Sequence, residues 1–158
     1  MGMNTGSAFL DALSAEERAR LLAGAETHNY SNGDVLIREG DEGNSMLFIS
    51  EGEVQVSRSG TALAVLGTGA AIGEMALLDP APRSATVKAN GNVVAIELHR
   101  ATVWRMLEEG DSAAVKVLQG ITATVCQRLG DVNRKVQEEV VRPRGNVFTR
   151  LFSSVFKR

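Results

Sequence analysis

The sequence predicts an α+β fold that is mainly β, in which a sandwich or roll of short strands lies between two helical segments. Between residues 27 and 98 the chain carries short β-branched runs that alternate with polar residues and are separated by glycines. Strands of this length at near-regular spacing are typical of sandwiches and rolls. Apolar residues recur at helical spacing before and after this region. With 158 residues, of which 44% are apolar, the chain can bury one core and is short for two independent domains.

The N-terminal segment, residues 1–26, is predicted to be a lead of two short helices. Its apolar residues recur at helical spacing between positions 7 and 24. Ser14 followed by Glu17 forms a capping box, in which each side chain accepts a hydrogen bond from a backbone N–H group at the start of a helix. The segment lacks the basic and apolar regions of a signal peptide. Together with a single cysteine, Cys126, this predicts a cytoplasmic protein.

The strands of the sandwich or roll are predicted within residues 27–99. Six apolar runs mark them, at 35–37, 46–49, 54–57, 63–66, 85–89 and 93–98. The connecting segments contain glycine next to acidic or small polar residues, and they lie at 32–34, 39–41, 51–53 and 67–69. Glycine adopts the positive φ angles that tight turns require, so we expect the chain to reverse at each of these segments.

Residues 100–141 are predicted to form C-terminal helices, with Asp111 as a helix cap. A heptad seam runs along the second helix through Val115, Leu118, Thr122, Val125, Leu129, Val132 and Val136. Such a seam packs either on the rest of the domain or on the same helix of a second chain. The strictness of the spacing favours the second chain, so we expect a homodimer through residues 112–136.

The C-terminal segment, residues 142–158, is predicted to be a basic amphipathic tail after a Pro-Gly break. It holds five of the 17 basic residues and none of the 19 acidic ones. One helical face is apolar, with Val147, Phe148, Leu151, Phe152, Val155 and Phe156. This face either folds back onto the domain, or docks through residues 146–158 on another protein or an anionic membrane surface.

The segment at residues 72–87 carries the most specific chemistry. Gly73 precedes a short helical turn, whose N–H groups and positive dipole end favour an anion. Nine residues after Glu74, Arg83 opens a new strand, and its guanidinium offers paired donors to two phosphate oxygens. Ser84 adds a hydroxyl beside it. A carboxylate next to an anion site suits a ribose hydroxyl, which donates to an acidic oxygen.

The sequence Gly-Glu-Met-Ala-Leu-Leu, followed by Pro-Arg-Ser-Ala-Thr-Val, resembles the phosphate-binding cassette of the cyclic nucleotide-binding domain family. That family includes regulatory subunits of cyclic-AMP-dependent protein kinase, cyclic-nucleotide-gated channels and the bacterial catabolite activator protein. The resemblance extends over roughly residues 31–136, because the glycines of the earlier turns are also similar. It implies a double-stranded β-roll of the jelly-roll type, built from eight strands and cupin-like in architecture. The C-terminal helices that follow the roll would serve as lid and dimer contact.

The resemblance also implies a role for each residue of the cassette. Glu74 would hold the ribose 2′-hydroxyl, and Arg83 would hold the cyclic phosphate. Backbone groups of the small helix would complete the clamp. The other cassette residues expected at the nucleotide are Gly73, Met75, Ala76, Ser84 and Ala85.

The base is less closely specified than the phosphate. In the family, a hydroxyl at the position of Ser84 contacts either the cyclic phosphate or the guanine amino group, so both cAMP and cGMP are permitted. Val56 and Leu63 match positions that line the sugar and base pocket, and they would serve equally as core residues. Asn133 aligns with the polar contact to the purine on the last helix, which could reach across a dimer.

The predicted function is that of a stand-alone sensor, not an enzyme, which binds cAMP or cGMP reversibly and signals through its C-terminal helices and tail. One alternative is the ligand-binding fragment of a cyclic-nucleotide-regulated channel. Another is a structural adaptor domain that has lost nucleotide binding and keeps Glu74 and Arg83 as an ion pair. No DNA-binding module is expected, because the residues after Val141 are too few for a helix-turn-helix domain.

No metal site is expected from the sequence. His28 and His99 are the only histidines and lie far apart in the chain. The metal-dependent roll proteins of the cupin architecture use paired histidines with a glutamate, a pattern that this sequence lacks. Both histidines are therefore interpreted as ordinary polar residues, and Cys126 as a packing residue beside the heptad seam.

Overall fold

The structure, a computed structural model, describes residues 8–141. The predicted tail at 142–158 therefore lies outside the described residues. The chain divides after Thr122 into two compact units. In chain order the elements are α1 Ala8–Asp11, α2 Ala15–Ala23, β1 Glu26–Tyr30, β2 Val35–Ile37, β3 Ser45–Arg58, β4 Thr61–Gly67, β5 Ala71–Ile72, α3 Met75–Leu78, β6 Thr86–His99, α4 Arg100–Glu108 and α5 Ser112–Val141.

The six strands form one antiparallel sheet, and the predicted mainly β roll is confirmed. The order is β1-β6-β3-β4, with β2 paired to β6 and β5 paired to β3. The expected count of eight strands is wrong for the described residues. The two central strands, β3 and β6, are each 14 residues long, and each contains two of the predicted runs. Counting their halves separately gives the expected eight.

Bulges explain why β3 continues through a predicted turn. The segment at 51–53 is a register irregularity within β3 rather than a connection between strands. Gly52 has a φ of 89°, and a side chain there would collide with the backbone carbonyl of Asn92 on β6. The strand therefore bends and remains paired. The other three predicted turns do contain glycines with positive φ, at Gly33, Gly40 and Gly69.

The interior of the roll is apolar, and its buried residues lie on four of the six strands and on the residue before β5. Its buried residues are Ile37, Leu47, Ile49, Val54, Ala70, Ile72, Val87, Ala89, Val93 and Ala95. Along β6, the residues at 87, 89, 93 and 95 are buried and are separated by single residues or by the bend at Gly91. This alternation places residue 97 in phase with the interior as well, although it is a glutamate.

The two predicted N-terminal helices are confirmed. Ser14 caps α2 and forms the capping box with Glu17, whose backbone N–H lies 3.2 Å from the Ser14 hydroxyl. Asp111 caps α5 as predicted, because its Oδ1 accepts a hydrogen bond of 2.8 Å from the N–H of Ala113. The same carboxylate accepts two bonds from the Arg20 guanidinium, at 2.8 and 3.0 Å. The lead is thus joined to the start of α5.

Helix α5 extends to Val141 as a continuous helix. Within the first unit it buries Ala113, Ala114, Val117 and Ile121, a different face from the predicted seam. Val115 and Leu129 of that seam are exposed. Cys126 is also exposed, so its interpretation as a packing residue is wrong. None of the helices in residues 8–141 is long and apolar enough to cross a membrane.

Candidate functional site

Residues 72–87 form the predicted glycine-led helical turn, followed by a loop that leads to β6. Gly73 has a φ of 72°, which is favourable only for glycine. Its carbonyl accepts a 3.1 Å hydrogen bond from the N–H of Ala76, and α3 follows as one turn. Ala76 and Leu77 are buried, whereas Met75 is exposed. The turn is therefore anchored on one side and open on the other.

The Arg83 side chain lies against two glycines. Its Nη1 donates a 3.2 Å hydrogen bond to the carbonyl of Gly73, and its Nη2 donates a 3.2 Å bond to the hydroxyl of Ser45. A Cβ at Gly43 would lie 2.8 Å from Arg83 Nε, and a Cβ at Gly73 would overlap Nη1. A side chain at either glycine would therefore displace the guanidinium.

The backbone of Arg83 is fixed by the loop before β3. The Arg83 N–H donates a 2.8 Å bond to the carbonyl of Asp41, and the Gly40 N–H donates a 2.9 Å bond to the carbonyl of Arg83. Glu42 and Pro82 form an isolated antiparallel bridge beside them. Arg83 therefore precedes β6, which begins at Thr86, and the prediction that it opens that strand is wrong.

The electrostatics of the cassette set Arg83 apart from a surface arginine. Burial lowers the pKa of its guanidinium, and the carboxylates of Glu97 and Glu74 oppose this shift. Glu74 is 6% exposed and stands at the N-cap position of α3. Within residues 8–141, both hydrogen bonds of the Arg83 side chain go to neutral oxygens. A phosphate would give this guanidinium the charged acceptor that forms stronger hydrogen bonds.

Ser45 and Glu97 form a layer behind Arg83 that the sequence analysis missed. The Ser45 hydroxyl accepts from Arg83 and donates a 2.5 Å hydrogen bond to Glu97 Oε1. Ser45 is only 2% exposed. One feature of the sequence could have revealed this layer: Glu97 lies in phase with the buried residues Val93 and Ala95 on β6. A carboxylate at a position facing the core needs a polar partner.

The two histidines, interpreted from the sequence as ordinary polar residues, lie in one polar cluster. His28 Nε2 lies 2.9 Å from Glu97 Oε2 and 3.8 Å from Glu26 Oε2. His99 Nε2 lies 3.6 Å from the other oxygen of Glu26. Strands β1 and β6 pair antiparallel with Glu26 opposite Glu97. This register brings together residues that are distant in the sequence.

The structure places the remaining predicted residues as follows. Val56 is half-buried and packs against the core of the roll. Leu63 is 59% exposed, which excludes the alternative that it serves as a core residue. Ser84 is exposed and Ala85 is half-buried in the cassette. Asn133 lies exposed on α5, in the second unit, and its contact with a purine stays a prediction.

Trp104 connects the cassette to α4. Its Nε1 donates a 2.9 Å hydrogen bond to the carbonyl of Leu77, the third residue of α3. The guanidinium of Arg100 lies 5.5 Å from the centre of the Trp104 ring, within the range of a cation–π contact. A displacement of α3 would therefore stretch or break this hydrogen bond to α4.

Comparison with known proteins agrees with this geometry. The family profile described as the cyclic nucleotide-binding domain matches residues 27–110. A cAMP-dependent protein kinase regulatory subunit from Debaryomyces hansenii is 36% identical over 119 residues, which cover 75% of this chain and 25% of that protein. Glutaminase 2 from Bradyrhizobium diazoefficiens is 35% identical over 130 residues, covering 82% of this chain and 21% of that protein. The chain thus spans a quarter or less of these two relatives.

A solved structure shows the same fold over most of the chain. The N-terminal domain of a transcriptional regulator from Streptomyces coelicolor A3(2) superposes with a TM-score of 0.69 at 29% identity. The match covers 85% of this chain and 96% of that domain. The profile match alone includes the whole roll, the cassette and α4. The chain therefore belongs to the cyclic nucleotide-binding domain family.

Proposed function

We propose that this domain binds a cyclic purine nucleotide, cAMP or cGMP, reversibly at the cassette. One observation carries the proposal. The half-buried Arg83 guanidinium has only neutral hydrogen-bond acceptors within residues 8–141, and it shares the cassette with the buried carboxylate of Glu74. The regulatory subunit that resembles this chain belongs, by its name, to a cAMP-dependent protein kinase, which supports cAMP as the first ligand to test.

Each proposed contact follows from the chemistry of the ligand. The cyclic phosphate carries one negative charge, which Arg83 would neutralise with paired N–H donors. The ribose 2′-hydroxyl would donate a hydrogen bond to Glu74. The buried carboxylate would thereby bind the sugar, although its charge is the same as that of the phosphate. The backbone of Gly73, Met75 and Ala76 would complete the clamp.

The sugar and base would lie beyond the phosphate, against less specific surfaces. Leu63 is exposed and is therefore available to a ligand, while Val56 offers an apolar wall that is also part of the core. Ala85 would lie close to the phosphate, and Ser84 would accept either purine. Asn133 remains the proposed polar contact to the base.

A titration of the purified chain tests this proposal. Calorimetry with cAMP, cGMP and 5′-AMP should give saturable binding of at least one cyclic nucleotide. The 5′-AMP should bind much more weakly, because its dianionic phosphate and free 3′-hydroxyl do not match a site shaped for a cyclic phosphate. Binding of 5′-AMP as tight as that of cAMP, or binding of neither cyclic nucleotide, would contradict the proposal.

The proposed output is a movement of α3 that passes to the C-terminal helices and the tail. Ligand contacts with Gly73 and Glu74 would draw α3 inward, and the Trp104 to Leu77 hydrogen bond gives α4 a direct mechanical link. Ligand must bind the two lid positions with different affinity for this to hold. Amide hydrogen exchange in residues 100–158 should slow or quicken on saturation with cAMP. Unchanged exchange there would contradict the lid proposal without affecting the binding proposal.

The assembly around the domain also remains a proposal. The exposed Val115 and Leu129 support a homodimer through residues 112–136, which a mass measurement in solution tests directly. The tail at 146–158 is proposed to contact another protein or an anionic membrane surface.

We propose a non-catalytic, cytoplasmic sensor. The glutaminase relative favours a second candidate, in which this domain regulates an enzyme.

A further inference from the structure

The cluster of Glu26, His28, Glu97 and His99, here called the His–Glu cluster, has no role in the proposed nucleotide contacts. It lies on the paired strands β1 and β6, and its two glutamates stand directly opposite each other in the register. Like charges directly opposite on neighbouring strands destabilise a sheet. A cation between them would remove that repulsion.

The distances within the cluster fit the coordination of a small ion. The ligand atoms of Glu26, His28 and Glu97 all lie within 4.8 Å of one another. The two contacts of His28 Nε2, at 2.9 and 3.8 Å, lie on either side of about 3.3 Å. That is the separation between ligands in a tetrahedral site with metal bonds of about 2.0–2.1 Å.

A second observation points to a ligand at the same place. His28 Nε2 is buried and makes no hydrogen bond with any described residue, although Glu97 Oε2 is 2.9 Å away. A buried ring nitrogen without a hydrogen-bond partner is costly and calls for an explanation. A bond from this nitrogen to a metal ion would satisfy it, because neutral imidazole is a common metal ligand.

We infer that Glu26, His28 and Glu97 bind a divalent transition-metal ion of the zinc type. Imidazole combined with carboxylate suits Zn²⁺, whereas Mg²⁺ and Ca²⁺ prefer oxygen ligands only. Three protein ligands leave one coordination position for water or for His99. In the structure, His99 Nε2 is 3.6 Å from the second oxygen of Glu26. This inference departs from the sequence-based expectation that the domain holds no metal.

The cluster is also connected to the cassette through Glu97. One Glu97 oxygen faces His28, and the other accepts from Ser45, which in turn accepts from Arg83. The negative charge of Glu97 stabilises the charged Arg83 guanidinium. A metal ion bound to Glu97 would neutralise that charge. The cassette would become more positive, so metal binding should tighten binding of an anionic cyclic nucleotide. This coupling rests on the proposed function, whereas the metal site itself does not.

The metal site is tested with Zn²⁺ and the full chain carrying no histidine tag. Competition with a chromophoric chelator should give one Zn²⁺ per chain, and His28→Gln and Glu97→Gln should each weaken binding about 10-fold or more. Cys126→Ser and Glu51→Gln are the matched controls, since both residues are exposed and neither belongs to the cluster. Absence of saturable binding overturns the inference, as does equal binding by wild type and His28→Gln, or loss of binding in Cys126→Ser.

A spectroscopic measurement on the unaltered chain keeps the test independent of variant folding. Co²⁺ in place of Zn²⁺ should give the intense visible bands of a tetrahedral site, and His28→Gln should remove them. Only the weak bands of hydrated Co²⁺ would overturn the inference. Calorimetry with cAMP should then show binding about fivefold tighter or more with Zn²⁺ than with EDTA. An unchanged affinity overturns the coupling alone, and failure of both cAMP and cGMP to bind overturns the proposed function and leaves the metal result intact.

Discussion

Arg20 and Arg83 show that arginine side chains have different roles in different surroundings. Arg20 donates to both oxygens of Asp111, at 2.8 and 3.0 Å, and this bond raises its pKa. Arg83 is half-buried and donates to a carbonyl and a hydroxyl, and burial lowers its pKa. The first charge already has its partner, so Arg20 joins two helices. The second has only neutral acceptors in the described chain, and it is the one suited to an anionic ligand.

The largest expected effect comes from removing each arginine in turn. Arg83→Ala should weaken cyclic nucleotide binding by about 2–5 kcal/mol, the range for removing one partner of a buried charge pair. Arg20→Ala should change affinity by less than about 0.5 kcal/mol, because it removes an exposed contact away from the cassette. Calorimetry with cAMP on both variants makes the comparison. Equal losses of affinity would show that the contrast between the two arginines has no functional meaning.

A smaller effect is expected from crowding Arg83 without removing it. In Gly43→Ala the new methyl group would meet the guanidinium, since an added Cβ lies 2.8 Å from Nε, and Arg83 must shift. We expect nucleotide affinity to fall about 10-fold, or about 1.4 kcal/mol. Gly67→Ala is the matched control, because the nearest atom there is 4.0 Å away. If both variants bind like wild type, the approach of Arg83 to Gly43 is not required for the site.

The cassette could be predicted from the sequence because its parts are close together in the chain. Gly73, Glu74 and Arg83 lie within one short segment, and local rules suffice for a glycine with positive φ followed by a helical turn. What the sequence did not provide was the support behind them. Gly43 and Ser45 reach Arg83 from the preceding loop and strand, and no motif marks either residue.

The His–Glu cluster could not be predicted because it depends on strand register. Glu26 and Glu97 become neighbours only when β1 pairs with β6 in the observed alignment. β1 itself, Glu-Thr-His-Asn-Tyr, has too little apolar character to be recognised as a strand. The long strands were missed for a related reason: a glycine within a strand can mark a turn or a bulge, and the local sequence does not distinguish them.

The smallest effect concerns the contact between α2 and α5, and it depends on pH. Glu17 accepts hydrogen bonds from Lys116 at 2.7 Å and Ser112 at 2.6 Å, and these bonds lower its pKa from 4.5 to about 2. The bond from Arg20 lowers the pKa of Asp111 from 3.8 to about 2. Both carboxyls therefore bind protons less readily in the folded chain than in the unfolded one.

Carboxyls with lowered pKa values stabilise the fold fully above their ordinary values and lose that contribution as the pH falls to about 2. The thermal unfolding midpoint of the wild type should fall as the pH is lowered from 4.5 towards 2. The fall should be smaller in Glu17→Gln, which has no carboxyl to protonate at that position. Arg83→Ala should keep the wild-type slope, since Arg83 contacts neither Glu17 nor Asp111 in the described chain. If Glu17→Gln keeps the wild-type slope, the Glu17 carboxylate makes no measurable electrostatic contribution to stability. The comparison of a structural charge with a ligand-binding charge would then depend on Arg83 alone.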